Sequence, residues 1–161
     1  MTRETAEFHV SFVCSGNICR SPMAALVFTE HLRRGGLGDR VRVSSAGVGP
    51  WHVGEPADGR ARQMLAAHDY PTDHTAAQVN DDHLAADLLL AMDSGHEAIL
   101  RRVAKPRDKV RMFRSFDPTA ADDLDVPDPY YGDLDDYATV LAMIEAATPG
   151  LLAHIREQLS T

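Results

Sequence analysis

The chain is poor in cysteine, poor in aromatic residues and short of positive charge. Among 161 residues there are two cysteines, Cys14 and Cys19. They are too few and too close together for a disulfide scaffold, which points to a reducing cytoplasm. No run approaches the roughly 18 consecutive apolar residues of a membrane span. The first twenty residues lack the apolar stretch of a signal peptide, although export by a route that needs none stays open. There is no internal repeat and no low-complexity linker. Asp and Glu number 24 against 16 Lys and Arg, a net charge of −8. The long-range field of such a chain repels nucleic acid and anionic membranes, so neither is an expected partner. At face value the same charge argues against a phosphorylated substrate.

The acidity is unevenly placed. Between Asp117 and Asp136 there are eight Asp and no Lys or Arg, and the rest of the chain balances to zero. For most of these acids the simplest reading is a solvated loop. Hydrophobic residues at 44% and charged residues at 25% fit an ordinary globular protein. The length suits a single domain spanning 1–161, with residues 1–7 as a flexible N-terminal tail.

Phe8–Val13 reads as a strand, apolar at Phe8, Val10 and Phe12 and ending at Cys14. Ser21-Pro22 offers an N-cap and a first-turn proline, and Gly35-Gly36 a stop, so a helix lies between. Val41–Ser45 is a second strand, Ala57–His68 a helix and Asn80–Ala85 a short helical turn. Asp87–Met92 carries the continuous apolar run of a buried parallel strand. Ser94–Val103 is a helix and Val110–Phe113 a fourth strand. Leu134–Leu159 is a helix with an expected kink at Pro149. Strands alternating with helices predict an α/β three-layer sandwich. Its sheet would be four-stranded and parallel, in flavodoxin-like order 2-1-3-4, with about five helices. Ligands of such folds bind beyond the carboxyl ends of the strands, where Cys14 lies.

The segment Val13-Cys14-Ser15-Gly16-Asn17-Ile18-Cys19-Arg20-Ser21-Pro22 joins the first strand to the first helix. A loop wrapped there turns consecutive backbone N–H groups into one anion-binding hollow at a helix N-terminus. Gly16 is the expected site of a positive φ. Arg20 offers a planar fork to two phosphate oxygens. Helix N-termini and adjacent arginines also stabilise a sulfur carrying negative charge, here Cys14. The Ser21 hydroxyl is placed to donate to that sulfur. Two other readings remain at this point: both cysteines as small buried hydrophobes, or half of a zinc site that no nearby His pair completes.

The segment CSGNICRSP resembles the signature loop of the low-molecular-weight protein tyrosine phosphatases, bacterial type. Ser45-Ala46-Gly47, Trp51, His74, Met92-Asp93 and Asp128-Pro129-Tyr130-Tyr131 extend the likeness over nearly the whole chain. The resemblance implies hydrolysis of phosphotyrosine through a phosphocysteine. Cys14 would be the nucleophile, Arg20 the phosphate clamp and Asp128 the general acid and base. Ser15, Gly16, Asn17, Ile18, Cys19 and Ser21 would complete the phosphate-binding loop, which Asn17, Ser45 and His74 would support. Trp51, Tyr130 and Tyr131 would wall the pocket. No metal or cofactor is implied, because the amides and Arg20 supply the positive charge. The implied partners are phosphotyrosine proteins and inorganic phosphate, bound by a monomer.

Read without the resemblance, Asp128 stands out only because Pro127 and Pro129 restrict it on both sides. Trp51 and the tyrosines could equally be loop anchors, and His52, beside Trp51, could contact substrate but reads more simply as a surface residue. Cys19 could capture an oxidised Cys14 as a disulfide. Three rivals stand beside tyrosine phosphatase. An arsenate reductase of this fold would need cysteines beyond Cys19, or an external thiol. An arginine phosphatase carries Thr where Ile18 stands. A non-catalytic phosphoprotein reader would need neither nucleophile nor acid. Ala25, where Glu often stands, and Ser15 are the departures from the commonest pattern.

Overall fold

The run beginning at Phe8 becomes the centre of the molecule. In the computed structural model, which describes residues 6–160, β1 (Phe8–Cys14) pairs in parallel with β2 (Val41–Gly47) on one side. On the other side it pairs with β3 (Leu88–Ala91), and β3 with β4 (Val110–Met112), all parallel, in the order β2-β1-β3-β4. Helices α1 (Arg20–Arg34), α2 (Gly59–Ala67), α3 (Asp81–Leu84), α4 (Ser94–Val103) and α5 (Leu134–Leu159) complete the fold. The predicted order, layers and helix number are all present. Residues 1–5 of the expected tail lie outside the described residues. At its end, the Glu7 amide donates to the Arg40 carbonyl at 2.8 Å and its carboxylate pairs with the Arg40 side chain.

Because side chains alternate along a strand, the sheet feeds two cores. Val10, Phe12, Leu88 and Leu90 pack with Phe28 of α1, Leu65 of α2 and Tyr137, Leu141 and Ile144 of α5. Phe12 sits edge-on between Phe28 and Phe113, at centroid distances of 6.0 and 5.3 Å. Val13, Leu89 and Ala91 face the other way, onto Leu100 of α4. Helix α5 runs through Pro149 as one helix. By length and mean hydropathy it is the one helix among the described residues long and apolar enough to cross a membrane, although polar residues interrupt its apolar run. Its buried stripe packs onto α1 and the sheet side of the larger core.

Two crossovers position the site. The β1–α1–β2 connection lies on one face of the sheet and β3–α4–β4 on the other. The chain therefore splays apart beyond the carboxyl ends of β1 and β3, which are neighbours. Cys14 ends β1 beside Gly47 of β2. Val48 and Gly49 then donate their amides to the Cys14 and Ser15 carbonyls at 2.9 and 3.1 Å. That approach leaves no space for a side chain at Gly47: a Cβ there would lie 2.7 Å from the Ser15 carbonyl oxygen and 3.1 Å from the Asn17 amide.

Gly47→Ala should therefore push the loop off β2, cost about 1–3 kcal/mol in stability and lower turnover. Gly38→Ala, whose Cβ would meet only ordinary contact with the Arg33 Cα at 3.8 Å, is the control. Equal melting temperatures and rates for the two variants would contradict the close approach.

Candidate active site

The loop between β1 and α1 closes around Asn17. This residue is fully buried and left-handed, with φ of 59°. An L-residue with a Cβ resists that conformation, and Asn tolerates it better than most. Four hydrogen bonds hold it there. Its Nδ2 donates to Ser21 Oγ at 2.8 Å and to Ser45 Oγ at 3.0 Å. Its Oδ1 accepts from the Ala77 amide at 3.0 Å, and its carbonyl accepts from His74 Nε2 at 2.7 Å. Asn17, Ser45 and His74 are thus brought together as expected. The expectation for Gly16 is corrected: the positive φ belongs to Asn17. Gly16 is small because the His52 ring lies against it, 2.8 Å from where a Cβ would stand.

Ser21 also departs from the sequence reading. Helix α1 begins at Arg20 with Cys19 in the cap position, and no side chain caps it. The Ser21 hydroxyl lies 2.9 Å from Cys14 Sγ instead. Its oxygen already accepts from Asn17, so its hydrogen is left for the sulfur. The first amides of α1 have no intrahelical acceptor, and helix geometry aims them back over the loop.

Arg20 is a buried cation, 4% exposed. Its Nη1 donates to Asp93 Oδ2 at 2.9 Å and to the Val126 carbonyl at 3.0 Å. Its Nη2 lies 3.4 Å from Ser15 Oγ and 3.7 Å from Asp128 Oδ2. Asp93 caps α4 by accepting the His96 amide at 3.0 Å. Burial pushes the Asp93 carboxyl up, but the His96 amide and Arg20 outweigh it and hold it below the ordinary carboxylate range. His96 Nε2 in turn lies 2.9 Å from Ser15 Oγ, and burial pushes its ring down to about 4. Sequence reasoning gave Asp93 and His96 no part in the site. The signal for Asp93 was an Asp in N-cap position straight after a buried parallel strand at the switch point. His96 carried no signal.

A cavity of about 360 Å³ opens over this floor, lined by Cys14, Gly16, Ile18 and Arg20 below and by Trp51, Tyr130 and Tyr131 above. His52, read from sequence as a surface residue, lines it too, with its ring 6.2 Å from that of Tyr130. Trp51 is 66% exposed and Tyr131 95%, so neither anchors a loop onto the sheet. Of the eight acids between Asp117 and Asp136, only Asp128 lines the cavity. Its side chain is half exposed, and its Oδ1 accepts the Tyr130 amide at 3.1 Å. Arg60 steadies this loop from α2. It is paired with Asp58, donates to the Gly132 carbonyl at 2.8 Å and stacks over the Tyr137 ring. Cys19 Sγ lies 3.2 Å from the Tyr137 hydroxyl, and burial pushes its thiol up to about 12.

The model of the family "Low molecular weight phosphotyrosine protein phosphatase" matches residues 9–161. The chain belongs to the low-molecular-weight protein tyrosine phosphatases. It is 58% identical over 153 residues to the low molecular weight protein-tyrosine phosphatase A of Mycobacterium tuberculosis, covering 94% of each chain. It is 52% identical over 156 residues to a Streptomyces coelicolor low molecular weight protein-tyrosine-phosphatase, covering 94% of this chain and 95% of the relative. The fold superposes on the crystal structure of an Entamoeba histolytica protein tyrosine phosphatase with a TM-score of 0.89 at 29% identity, covering 94% of this chain and 98% of that one. The match to the family model thus runs through the whole phosphatase site, from β1 through the loop of Asn17 to α5.

Burial makes this phosphatase sensitive to acid. It pushes His9, His74, His83, His96 and His154 all down, His9 and His96 to about 4 from an ordinary 6.5. The unfolded chain binds these protons near pH 6.5 and the folded chain does not. The stability is therefore complete above that pH and is lost as pH falls toward 4. His96, almost fully buried, accounts for at most about 3 kcal/mol. The lowered carboxylates, such as Asp93, add their loss only below about pH 4. The melting temperature should be level near pH 7 and fall between pH 6.5 and 4. A level melting temperature across that window would contradict neutral buried histidines.

Proposed function

We propose that the chain hydrolyses phosphotyrosine in proteins, with Cys14 as nucleophile, Arg20 as phosphate clamp and Asp128 as general acid and base. The observation that carries this reading is the convergence of the three on one aromatic-walled cavity at the uncapped end of α1. Bound there, a phosphate takes the amides of the loop and the Arg20 fork, and so caps the helix itself. Cys14 Sγ attacks phosphorus, and the bond to the phenolic oxygen breaks. Asp128 gives its proton to the departing phenolate. Asp128 then takes a proton from water, whose oxygen attacks the phosphocysteine and releases inorganic phosphate. The Ser21 hydroxyl donates to the sulfur both before attack and as it leaves. Positive charge facing the phosphoryl oxygens stabilises the charge spread over them in the transition state.

The walls favour an aryl ester. Trp51, Tyr130 and Tyr131 offer faces to a phenyl ring, which phosphoserine lacks. Ile18 lines the same cavity where an arginine phosphatase carries Thr, which supports phosphotyrosine over phosphoarginine. The arsenate route lacks a cysteine beyond Cys19.

Cys14→Ser should abolish release of phosphate from phosphotyrosine peptides. Asp128→Ala should slow phenyl phosphate by about 100-fold or more, and an ester with a good leaving group much less, since that leaving group needs no proton. Failure of the wild-type protein to turn over phosphotyrosine while hydrolysing phosphoarginine or reducing arsenate would overturn the reading. For Cys19 the proposed role is capture of an oxidised Cys14. Peroxide followed by mass mapping should give a Cys14–Cys19 disulfide, and sulfonic acid on Cys14 beside an intact Cys19 would refute it.

A further inference from the structure

Four groups close a ring behind the anion site. Arg20 Nη1 donates to Asp93 Oδ2 at 2.9 Å, and Arg20 Nη2 lies within 3.4 Å of Ser15 Oγ. Ser15 Oγ lies 2.9 Å from His96 Nε2, and His96 Nδ1 lies 3.1 Å from Asp93 Oδ1. The histidine is therefore tied to both ends of the same guanidinium, once through a hydroxyl and once through a carboxylate. Arg20 and His96 are both buried, at 4% and 3% exposure, so their polar atoms depend on one another rather than on solvent.

The protons of this ring can be assigned from what each group is able to do. A guanidinium only donates and a carboxylate only accepts. Ser15 Oγ thus accepts from Arg20, and its own hydrogen needs another acceptor. His96 Nε2 is in reach. A bare Nδ1 would set its lone pair against the Asp93 carboxylate in a buried place, whereas a hydrogen on Nδ1 makes the contact attractive. The Nδ1 atom has no properly aligned hydrogen bond, so this contact is electrostatic. The two demands agree on one tautomer, and burial keeps the ring neutral so that Nε2 stays free to accept.

We propose that His96 is a positioning residue for the phosphate clamp: as its Nδ1–H tautomer it takes the Ser15 hydrogen, and so fixes Ser15 Oγ as the acceptor that orients the Arg20 nitrogen facing Asp128. A Ser15 hydroxyl without this partner rotates, and Nη2 loses the contact that holds its fork. The inference rests on Arg20 as the phosphate ligand, and it uses the residue next to the nucleophile where this chain departs from the commonest family pattern.

Nitrogen-15 NMR of the histidine rings in the wild-type protein near pH 7 tests the tautomer without any substrate. The expected signature is a protonated Nδ1 and an unprotonated Nε2 on His96, and the reverse would overturn the proposal even if phosphatase activity is confirmed. Kinetics test the consequence. Ser15→Thr keeps the hydroxyl, and Ser15→Val has nearly the same shape without it. Ser15→Val should fall about tenfold below Ser15→Thr in kcat, with a weaker inhibition constant for inorganic phosphate. His96→Gln, whose amide oxygen can accept the same hydrogen, should retain more kcat than His96→Leu. Equal losses in Ser15→Thr and Ser15→Val, or losses that track melting temperature alone, would mean a packing role and defeat the assignment. If the variants do not fold, the tautomer decides.

Discussion

A single buried guanidinium sets the terms for the rest of the structure. Arg20 lines the cavity proposed to take a doubly charged phosphate, yet it is nearly sealed from water. A buried charge without a partner costs several kcal/mol, so the fold must bring compensation to it. It does so from distant segments. Asp93 arrives from the end of β3, and the Val126 carbonyl from the acidic segment, whose Val126 amide is itself pinned to the Met92 carbonyl at 2.7 Å. The order β2-β1-β3-β4 makes this possible, because it places the exits of β1 and β3 side by side while their helices leave on opposite faces. The site is thus a consequence of topology as much as of the loop sequence.

The same arrangement explains how an acidic protein can hold phosphate. Asp93 and Asp128 put two carboxylates against one guanidinium, so formal charge near the site is already negative. What attracts the anion is held in the backbone. Helix α1 has no side-chain cap and no acid in its first turn, and Ser21, the residue best suited to cap it, is turned to the Cys14 sulfur. The partial positive charge of the helix end is left uncancelled for the ligand. Formal charge counts none of these amides, which is why −8 misled as a guide to the substrate.

The strands and helices were legible because their signals are local. Phe8, Val10 and Phe12, the Leu88–Leu90 run and the Gly35-Gly36 stop each declare an element within a few residues. The nucleophile loop was legible for the same reason, since Cys14, Arg20 and Ser21 lie on one short segment. What the residues alone did not declare was contact between segments; the meeting of Asn17 with Ser45 and His74 was expected only through the family resemblance. The left-handed residue was read as Gly16 because glycine is the default for positive φ. Asn17 takes that place because its amide is saturated by Ser21, Ser45 and Ala77, and two of those partners lie at least 28 residues away. His52 was read as a surface residue because nothing local brings it against Gly16.

The acidic segment shows most clearly why position outweighs composition. Read as a run, its eight Asp are a solvated loop. In the fold, most of them are occupied with the backbone. Asp117 accepts from the Thr119 amide and hydroxyl, and Asp125 accepts the first amide of α4. Asp133 and Asp136 form the reciprocal cap that starts α5. A carboxylate at a helix N-terminus or a tight turn offers fixed acceptors to amides that would otherwise go unpaired. Those carboxylates shape the path between β4 and α5. Asp128 differs from them because Pro127 and Pro129 flank it, one of its oxygens closes a turn on the Tyr130 amide, and the other is left facing Arg20. The proposed general acid is not set apart by its chemical type. It is the one whose neighbours occupy the backbone around it and leave an oxygen free for the substrate.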